Sequence, residues 1–183
     1  ADNNVAIGYE AGSSLTTHNS DVLIGYQAGK ALSTDDDGVI AIGYQAGLSL
    51  TTCSSSVFIG KNAGDGHDTE DHNMGIGRNA LTGSVAGGEY NVGIGNYSLA
   101  ALTSADNNVA IGYLAGSSIT TGGTNTMVGF EAGKDTVSGT GNTFIGEQSG
   151  RANTGSSNTA LGRDTLYTNT SGNYNVAIGD GAL

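Results

Sequence analysis

Three-residue apolar runs, each followed by glycine, recur along the whole chain. The first is Val5-Ala6-Ile7 before Gly8, and equivalent runs precede Gly25, Gly43, Gly60, Gly77, Gly95, Gly112, Gly129, Gly146, Gly162 and Gly179. Successive glycines are 17, 18, 17, 17, 18, 17, 17, 17, 16 and 17 residues apart. A short, nearly constant period is typical of solenoids in which each repeat forms one coil. The pattern therefore predicts an all-β parallel β-solenoid of about eleven coils of 16–18 residues, with residues 1–183 forming a single repeat array.

The first and third positions of these runs are mostly Val and Ile, as in Val22 and Ile24. Residues two apart on a strand point to the same face, and β-branched side chains are enriched in strands. We expect this Val/Ile face to line the interior of each coil.

The middle position of the runs carries no polar side chain in any repeat. A strand that is apolar at every position is typical of burial on both faces. Since the Val/Ile face is assigned to the coil interior, we expect other copies of the chain to cover the middle side chains. This predicts a homotrimer whose interface contains Ala6, Leu23, Ala41, Phe58, Ala110, Met127, Phe144, Ala160 and Ala177.

The residues around each run predict tight turns. Asn stands four residues before the glycine in eight of eleven repeats, and stacked Asn side chains can hydrogen-bond from one coil to the next. The glycine itself is expected to supply a positive φ or a close backbone approach. Four residues after it come seven Gly and four Leu, which indicates a crowded corner.

Composition and charge restrict the class of protein. The net charge of −11, from 17 acidic and 6 basic residues, argues against nucleic-acid binding, which needs clustered Lys and Arg. The 183 residues include no Pro, as continuous β-ladders require. No apolar run reaches the roughly 20 residues of a membrane span, and no Met-initiated signal peptide is present, so we expect a mature or excised segment. The single cysteine, Cys53, is interpreted as a turn residue.

One spacer is dense in metal-type ligands: Asp65, His67, Asp68, Glu70 and His72. Neither a zinc spacing nor a Ca²⁺-binding repeat is present, so we interpret this segment, like Asp35-Asp36-Asp37, as a solvated acidic turn and predict no metal or cofactor. The segment 75–80 matches a dinucleotide-binding fingerprint, but that motif requires a following helix. No Ser/His/Asp or Cys/His grouping recurs, and we expect no enzymatic activity.

Aromatic residues directly follow the glycine in five repeats, at Tyr9, Tyr26, Tyr44, Tyr113 and Phe130. Because Lys61 and Arg78 occupy the same position in other coils, we expect it to be partly exposed. These aromatics are candidate receptor-facing residues that could contact sugars, although covering neighbouring coils is the commoner role.

A column of hydroxyl residues suggests ice binding as an alternative. Thr16, Ser33, Thr51, Asp68, Val85, Thr103, Thr120, Val137, Thr154 and Thr170 stand eight residues after the glycine. Asp68 and Val85 interrupt the column, and no parallel Thr column completes a flat array.

The segments Asn108-Val109-Ala110-Ile111-Gly112 and Asn175-Val176-Ala177-Ile178-Gly179 resemble head-domain repeats of YadA-like trimeric autotransporter adhesins. The segment 158–175 is similar to repeats of bacteriophage tail-fibre proteins, although the coils here are longer than the adhesin repeats. The resemblance implies a left-handed β-roll, a homotrimer and an adhesive or structural fibre segment outside the cell, on a cell surface or virion. A host-surface glycan or protein receptor is the implied partner, and a filament of head-to-tail stacked coils is an alternative.

Overall fold

The computed structural model describes residues 2–33, 38–83 and 87–183. Within these ranges the chain forms strands and turns but no helix, which confirms the predicted parallel β-solenoid. The eleven strands are β1 (Val5–Ile7), β2 (Val22–Ile24), β3 (Ile40–Ile42), β4 (Val57–Ile59), β5 (Met74–Ile76), β6 (Val92–Ile94), β7 (Val109–Ile111), β8 (Thr126–Val128), β9 (Thr143–Ile145), β10 (Thr159–Leu161) and β11 (Val176–Ile178).

Each strand pairs in parallel with the next, and equivalent residues lie side by side. Ala6 pairs with Leu23, for example, and Leu23 pairs with Ala41. The eleven strands form one sheet in chain order. At about 4.8 Å per strand, the ten steps give a stack about 48 Å long. Residues at the same position of successive coils therefore form columns along the solenoid.

The middle residue of each strand points into the coil, which corrects the predicted trimer interface. The predicted interface residues Leu23, Ala41, Phe58, Ala110, Met127, Phe144, Ala160 and Ala177 are all buried within a single chain. Ala6, at the same position of β1, is exposed. The buried side chains pack within their own coils and do not await cover by another copy.

The first and third residues of each strand point outward, so the Val/Ile face does not line the interior. Their side chains are half-buried or exposed along all eleven strands. The physical reason is the width of the coil. A strand of three residues offers its middle side chain to a narrow interior, and the opposite wall supplies the rest of the packing. A Cβ atom added to Gly29 in that wall would lie 2.7 Å from Cδ2 of Leu23.

Side-chain sizes are balanced across this interior. Where the middle strand residue is large, the residue four after the glycine is Gly, as in the pairs Leu23/Gly29, Phe58/Gly64, Met127/Gly133 and Phe144/Gly150. Where the middle residue is Gly or Ala, the wall residue can be Leu, as in Gly75/Leu81, Gly93/Leu99, Ala160/Leu166 and Ala177/Leu183. Leu81, Leu99 and Leu166 are buried. The pairs Ala6/Gly12, Ala41/Gly47 and Ala110/Gly116 are small on both sides. Side chains of adjacent coils also reach inward: a Cβ atom added to Gly116 would lie 3.0 Å from Sδ of Met127 and 3.1 Å from Cδ2 of Leu99.

A third inward column lies seven residues after the glycine and includes Leu32, Leu50 and Leu102. These three positions lie outside the eleven strands of the described part of the chain. Cys53, interpreted as a turn residue, lies between β3 and β4, and its side chain is buried in the core.

The predicted Asn ladder is confirmed. The backbone N–H of Asn108 donates to Oδ1 of Asn91 at 3.0 Å, and Nδ2 of Asn108 donates to the same oxygen at 3.1 Å. Nδ2 of Asn91 also donates to the carbonyl oxygen of Ala105 in the next coil, at 2.8 Å. Equivalent bonds run from Asn73 to Asn175. Because these side chains are buried, the ladder satisfies amide groups that would be costly to leave unpaired.

The recurring glycine serves both predicted purposes. Its φ lies between 118° and 142° in all eleven repeats, a region that favours glycine. A Cβ atom added to Gly77 would lie 2.6 Å from both the carbonyl carbon and the carbonyl oxygen of Gly95 in the next coil. The glycine column thus allows the coils to stack at β-sheet spacing.

Candidate functional site

Three tyrosines form a stacked aromatic ladder on the surface. The rings of Tyr9 and Tyr26 have centroids 5.3 Å apart and planes 13° apart, and those of Tyr26 and Tyr44 are 5.1 Å and 10° apart. Nζ of Lys61 lies 5.3 Å from the centroid of the Tyr44 ring. Between 41% and 64% of each tyrosine is exposed, which confirms that this column faces solvent. In-register pairing of the coils produces the stack, since each Tyr follows an aligned glycine.

A second aromatic group lies in coils six to eight. The Tyr113 and Phe130 rings stack with centroids 5.5 Å apart, and Tyr97 meets Tyr113 edge-on at 6.3 Å. The Arg78 guanidinium lies 5.7 Å from the centre of the Tyr97 ring. Tyr97 stands two residues after its glycine. It was not predicted because the candidate aromatics all stand directly after the glycine.

A polar strip borders the aromatic ladder. Gln27 donates from Nε2 to Oε2 of Glu10 at 2.8 Å, and Gln45 donates to Oε1 of Gln27 at 2.9 Å. Lys30 pairs with Glu10 at 2.7 Å, and its hydrogen bond lowers the pKa of the Glu10 carboxyl. The negative charge of Glu10 in turn raises the pKa of the Tyr9 hydroxyl. A column of hydrogen-bonding groups thus runs beside the column of rings on this surface.

The stacking determines what the ladder can contact. Tyr26 is covered on one side by Tyr9 and on the other by Tyr44, so its ring faces are already occupied. A sugar ring therefore cannot stack flat on Tyr26. The outer ring edges, the phenol hydroxyls and the Glu10–Gln27–Gln45 strip remain accessible, and together they suit a ligand rich in hydroxyl groups.

A charged cluster borders the second aromatic group. Glu131 accepts hydrogen bonds from Lys134 at 2.9 Å, Arg151 at 2.9 Å and Gln148 at 3.1 Å. The bond from Lys134 is the largest of the causes that lower the Glu131 pKa to about 2. Arg151 also donates to the Tyr167 hydroxyl at 3.0 Å. The cluster links three successive coils, and its fixed charges could orient a polar ligand.

The candidate metal ligands do not converge. His67 and Glu70 are buried in the coil interior, whereas Asp68 and His72 are exposed and Asp65 is half-buried. In the described ranges no three His, Cys, Asp or Glu side chains are grouped so as to hold a metal ion. Burial corrects the interpretation of the whole segment as a solvated turn. Asp35, Asp36 and Asp37 lie outside the described residues.

The Gly75–Ala80 segment belongs to β5 and the turn after it. A dinucleotide-binding fingerprint requires a helix whose N-terminus receives the pyrophosphate. Because a turn stands where that helix would begin, the match reflects the repeat itself.

His67 occupies the inward column that is Leu in the first three coils. Its ring lies 5.3 Å from the Phe58 ring, and burial lowers the pKa of His67 from 6.5 to about 4. The Glu70 carboxylate, 3.9 Å away, already accepts backbone N–H bonds from Asp68, Thr69 and Gly87. Protonation would bury a charge beside a carboxylate whose oxygens are already engaged by backbone N–H groups, so the native state favours neutral His67.

We expect the free energy of unfolding to fall as pH drops from about 6.5 towards 4. In that window the unfolded chain protonates His67 and the native chain does not, so stability is complete above the unfolded pKa and decreases below it. The loss between pH 7.5 and pH 5 should be about 2 kcal/mol. Urea unfolding followed by circular dichroism at both pH values measures it.

The matched variant for this test is His67→Leu, which restores the side chain found in the first three coils. It should be about 2 kcal/mol less sensitive to this pH change than the parent protein. Equal pH dependence in the two proteins would contradict the assignment of the acid-sensitive group to His67.

The hydroxyl column holds the coils together. Thr51 donates from Oγ1 to the carbonyl oxygen of Asp68 at 3.0 Å, and Thr103 donates to that of Thr120 at 2.9 Å. Thr16 and Thr154 bond in the same way to the next coil. These hydroxyl hydrogens are used within the chain, and Asp68 and Val137 interrupt the column. Val85 lies outside the described residues.

A surface that was expected to line the coil interior instead runs along the outside of the eleven described strands. We call it the outward face: the first and third residues of the eleven strands. It contains Val, Ile, Met, Leu and Thr but no charged residue. Val5, Ile7, Ile111, Ile145 and Leu161 are among its exposed members. Alternation groups these residues on one face but does not say which face is inside; the matched sizes of residues such as Phe144 and Gly150 carry that information.

No helix in the described ranges is long and apolar enough to cross a membrane. Comparison with protein-family models, curated proteins and solved structures finds no match to this chain.

Proposed function

We propose that this chain is a structural and adhesive segment of a trimeric fibre displayed outside the cell, on a cell surface or virion. The observation that carries the proposal is the regular stacking of eleven parallel strands into one sheet in chain order, with equivalent side chains aligned on its surface. Such a solenoid is built for length and for presenting repeated groups. The resemblance to adhesin head and tail-fibre repeats supports this role and a left-handed coil.

Receptor contact is proposed at the aromatic ladder and its polar strip. The ladder is exposed and held rigid by ring stacking, so binding costs little side-chain entropy. The Glu10, Gln27 and Gln45 side chains supply hydrogen-bonding groups beside the rings. A glycan or a polar protein surface fits this combination, with Tyr113 and Phe130 as a second contact region.

The experiment compares a Tyr26→Ala/Tyr44→Ala double variant with the parent protein on a glycan array and on candidate host cells. We expect the double variant to bind at least about tenfold more weakly than the parent, because the edge and hydroxyl contacts of both rings are lost. The matched control is Asn96→Ala, an exposed polar residue in the same column of another coil. It should bind like the parent.

Equal binding by the parent and the double variant would refute a receptor site at the ladder. Ice binding, the alternative, predicts thermal hysteresis at micromolar protein. Its hydroxyl column is interrupted and bonded internally, so the adhesive fibre is the better-supported proposal.

A further inference from the structure

We infer that copies of this chain pack against one another through the outward face, parallel and with each coil against the same coil of its neighbour. The inference deepens the proposed trimeric fibre by naming its interface and orientation. The outward face takes the place of the middle strand residues as the predicted interface, because those residues pack within their own chain.

The chemistry of the outward face is that of a surface covered by protein. In the first seven strands, both outward positions are apolar in every strand. No charge interrupts the face, although the chain carries a net charge of −11. Exposed apolar surfaces that are continuous and free of charge are typical of sites of protein association.

The size of the face matches an interface between copies. Each strand is three residues, or about 10 Å, long, and ten interstrand steps span about 48 Å, so the face covers roughly 480 Å² on each chain. Two facing copies would bury about 1,000 Å², and three would bury more. This reaches the area expected of a biological interface, and it exceeds most crystal-packing contacts.

The pattern of Thr residues favours parallel copies. The first strand position is Thr at Thr126, Thr143 and Thr159, in three consecutive strands near one end. In antiparallel copies, these hydroxyls would face the β4, β3 and β2 levels, whose outward residues are all Val or Ile. Parallel copies instead place Thr against Thr, where hydroxyls can donate to and accept from one another.

The spacing of the coils favours the same coil-to-coil alignment. One interval is 16 residues and two are 18, yet the strands pair without a break in register. The outward side chains of every copy therefore repeat at the same β-sheet spacing. Equivalent levels can meet along the full length of the face without distortion.

Cysteine cross-linking tests both the face and the orientation. Two single variants are used, Val92→Cys and Thr143→Cys. Val92 lies in the central strand β6, and Thr143 lies in β9, three strands away. A bis-maleimide that spans about 10 Å, the usual distance between packed sheets, is added to each variant and the products are resolved by mass. The parent protein, whose Cys53 is buried, is the background control.

Both variants should give cross-linked chains if the copies are parallel. In antiparallel copies, Val92→Cys would cross-link, but the two thiols introduced by Thr143→Cys would lie six coils apart, about 29 Å. Cross-linking of Val92→Cys alone would overturn the orientation, and no cross-linking of either variant would overturn the face.

Light scattering on an Ile94→Glu variant gives an independent measurement. Ile94 points outward in β6, so the charge should dissociate the assembly to the 18.2 kDa monomer and leave the circular dichroism spectrum unchanged. Asn96→Glu, an exposed change two residues away, should stay assembled. A monomeric parent protein would refute the inference even if Ile94→Glu fails to fold. Both measurements are made without a receptor, so loss of the proposed receptor binding would leave them unaffected.

Discussion

Gly77→Ala should unfold the solenoid or destabilise it by about 4 kcal/mol or more, a large part of the stability of an ordinary domain. Two costs add. The φ of +135° is unfavourable for Ala, and the new methyl group would lie 2.6 Å from the carbonyl carbon and oxygen of Gly95. Backbone atoms on both sides belong to hydrogen-bonded coils and cannot move apart without breaking the stack. Urea unfolding followed by circular dichroism measures the loss.

Gly179→Ala separates the two costs. Gly179 has a similar φ of +118°, but an added Cβ would meet no atom within 4 Å. This variant should lose only the strain term, about 1–3 kcal/mol. Similar losses in Gly77→Ala and Gly179→Ala would show that close approach of the coils contributes little.

Exchanging the large Phe144 and the small Gly150, which face each other across the coil interior, should show strong coupling between their effects on the free energy of unfolding. Phe144→Gly leaves a cavity in the core and should cost about 3–5 kcal/mol. Gly150→Leu should also be severe, because even a Cβ at this position would lie 2.5 Å from Cγ of Phe144. The double variant reproduces the arrangement of Gly75 with Leu81 and of Gly93 with Leu99.

We therefore expect the double variant to be at least about 2 kcal/mol more stable than the sum of the single losses predicts. Leu can adopt the backbone required at position 150, since Leu81 and Leu99 have φ of 52° and 48° in the equivalent turn. A double-mutant cycle in urea measures the coupling energy. Additive losses would contradict direct packing between the two positions.

The repeat period and the identity of its fixed residues were sufficient to predict the architecture. The glycine spacing located every strand, and the Asn column predicted a ladder that the structure confirms. These features were accessible because each depends on one residue type at one position. Eleven copies within a single chain made each requirement visible.

The direction of the side chains was predicted wrongly because hydrophobicity alone does not distinguish the two faces of a fully apolar strand. The sizes of Phe144 and Gly150, compared across repeats, would have shown that the middle position faces the coil wall. Burial of His67 was also missed, since its acidic neighbours suggested a solvated turn. The stacking angles of Tyr9, Tyr26 and Tyr44 depend on rotamers that the sequence pattern does not specify.

The uniform pairing of the coils also bears on how such a chain changes length during evolution. Each coil presents the same in-register hydrogen-bonding edges to either neighbour. A whole coil can therefore be copied, lost or moved by recombination with its strand pairing preserved, and only side chains that reach into an adjacent coil, such as Leu99 at Gly116, need a new fit. Residues 1–9 and 105–113 are identical in sequence, as expected if one such block was duplicated. Reach and surface chemistry can then vary separately, the first by coil number and the second by substitutions in outward columns.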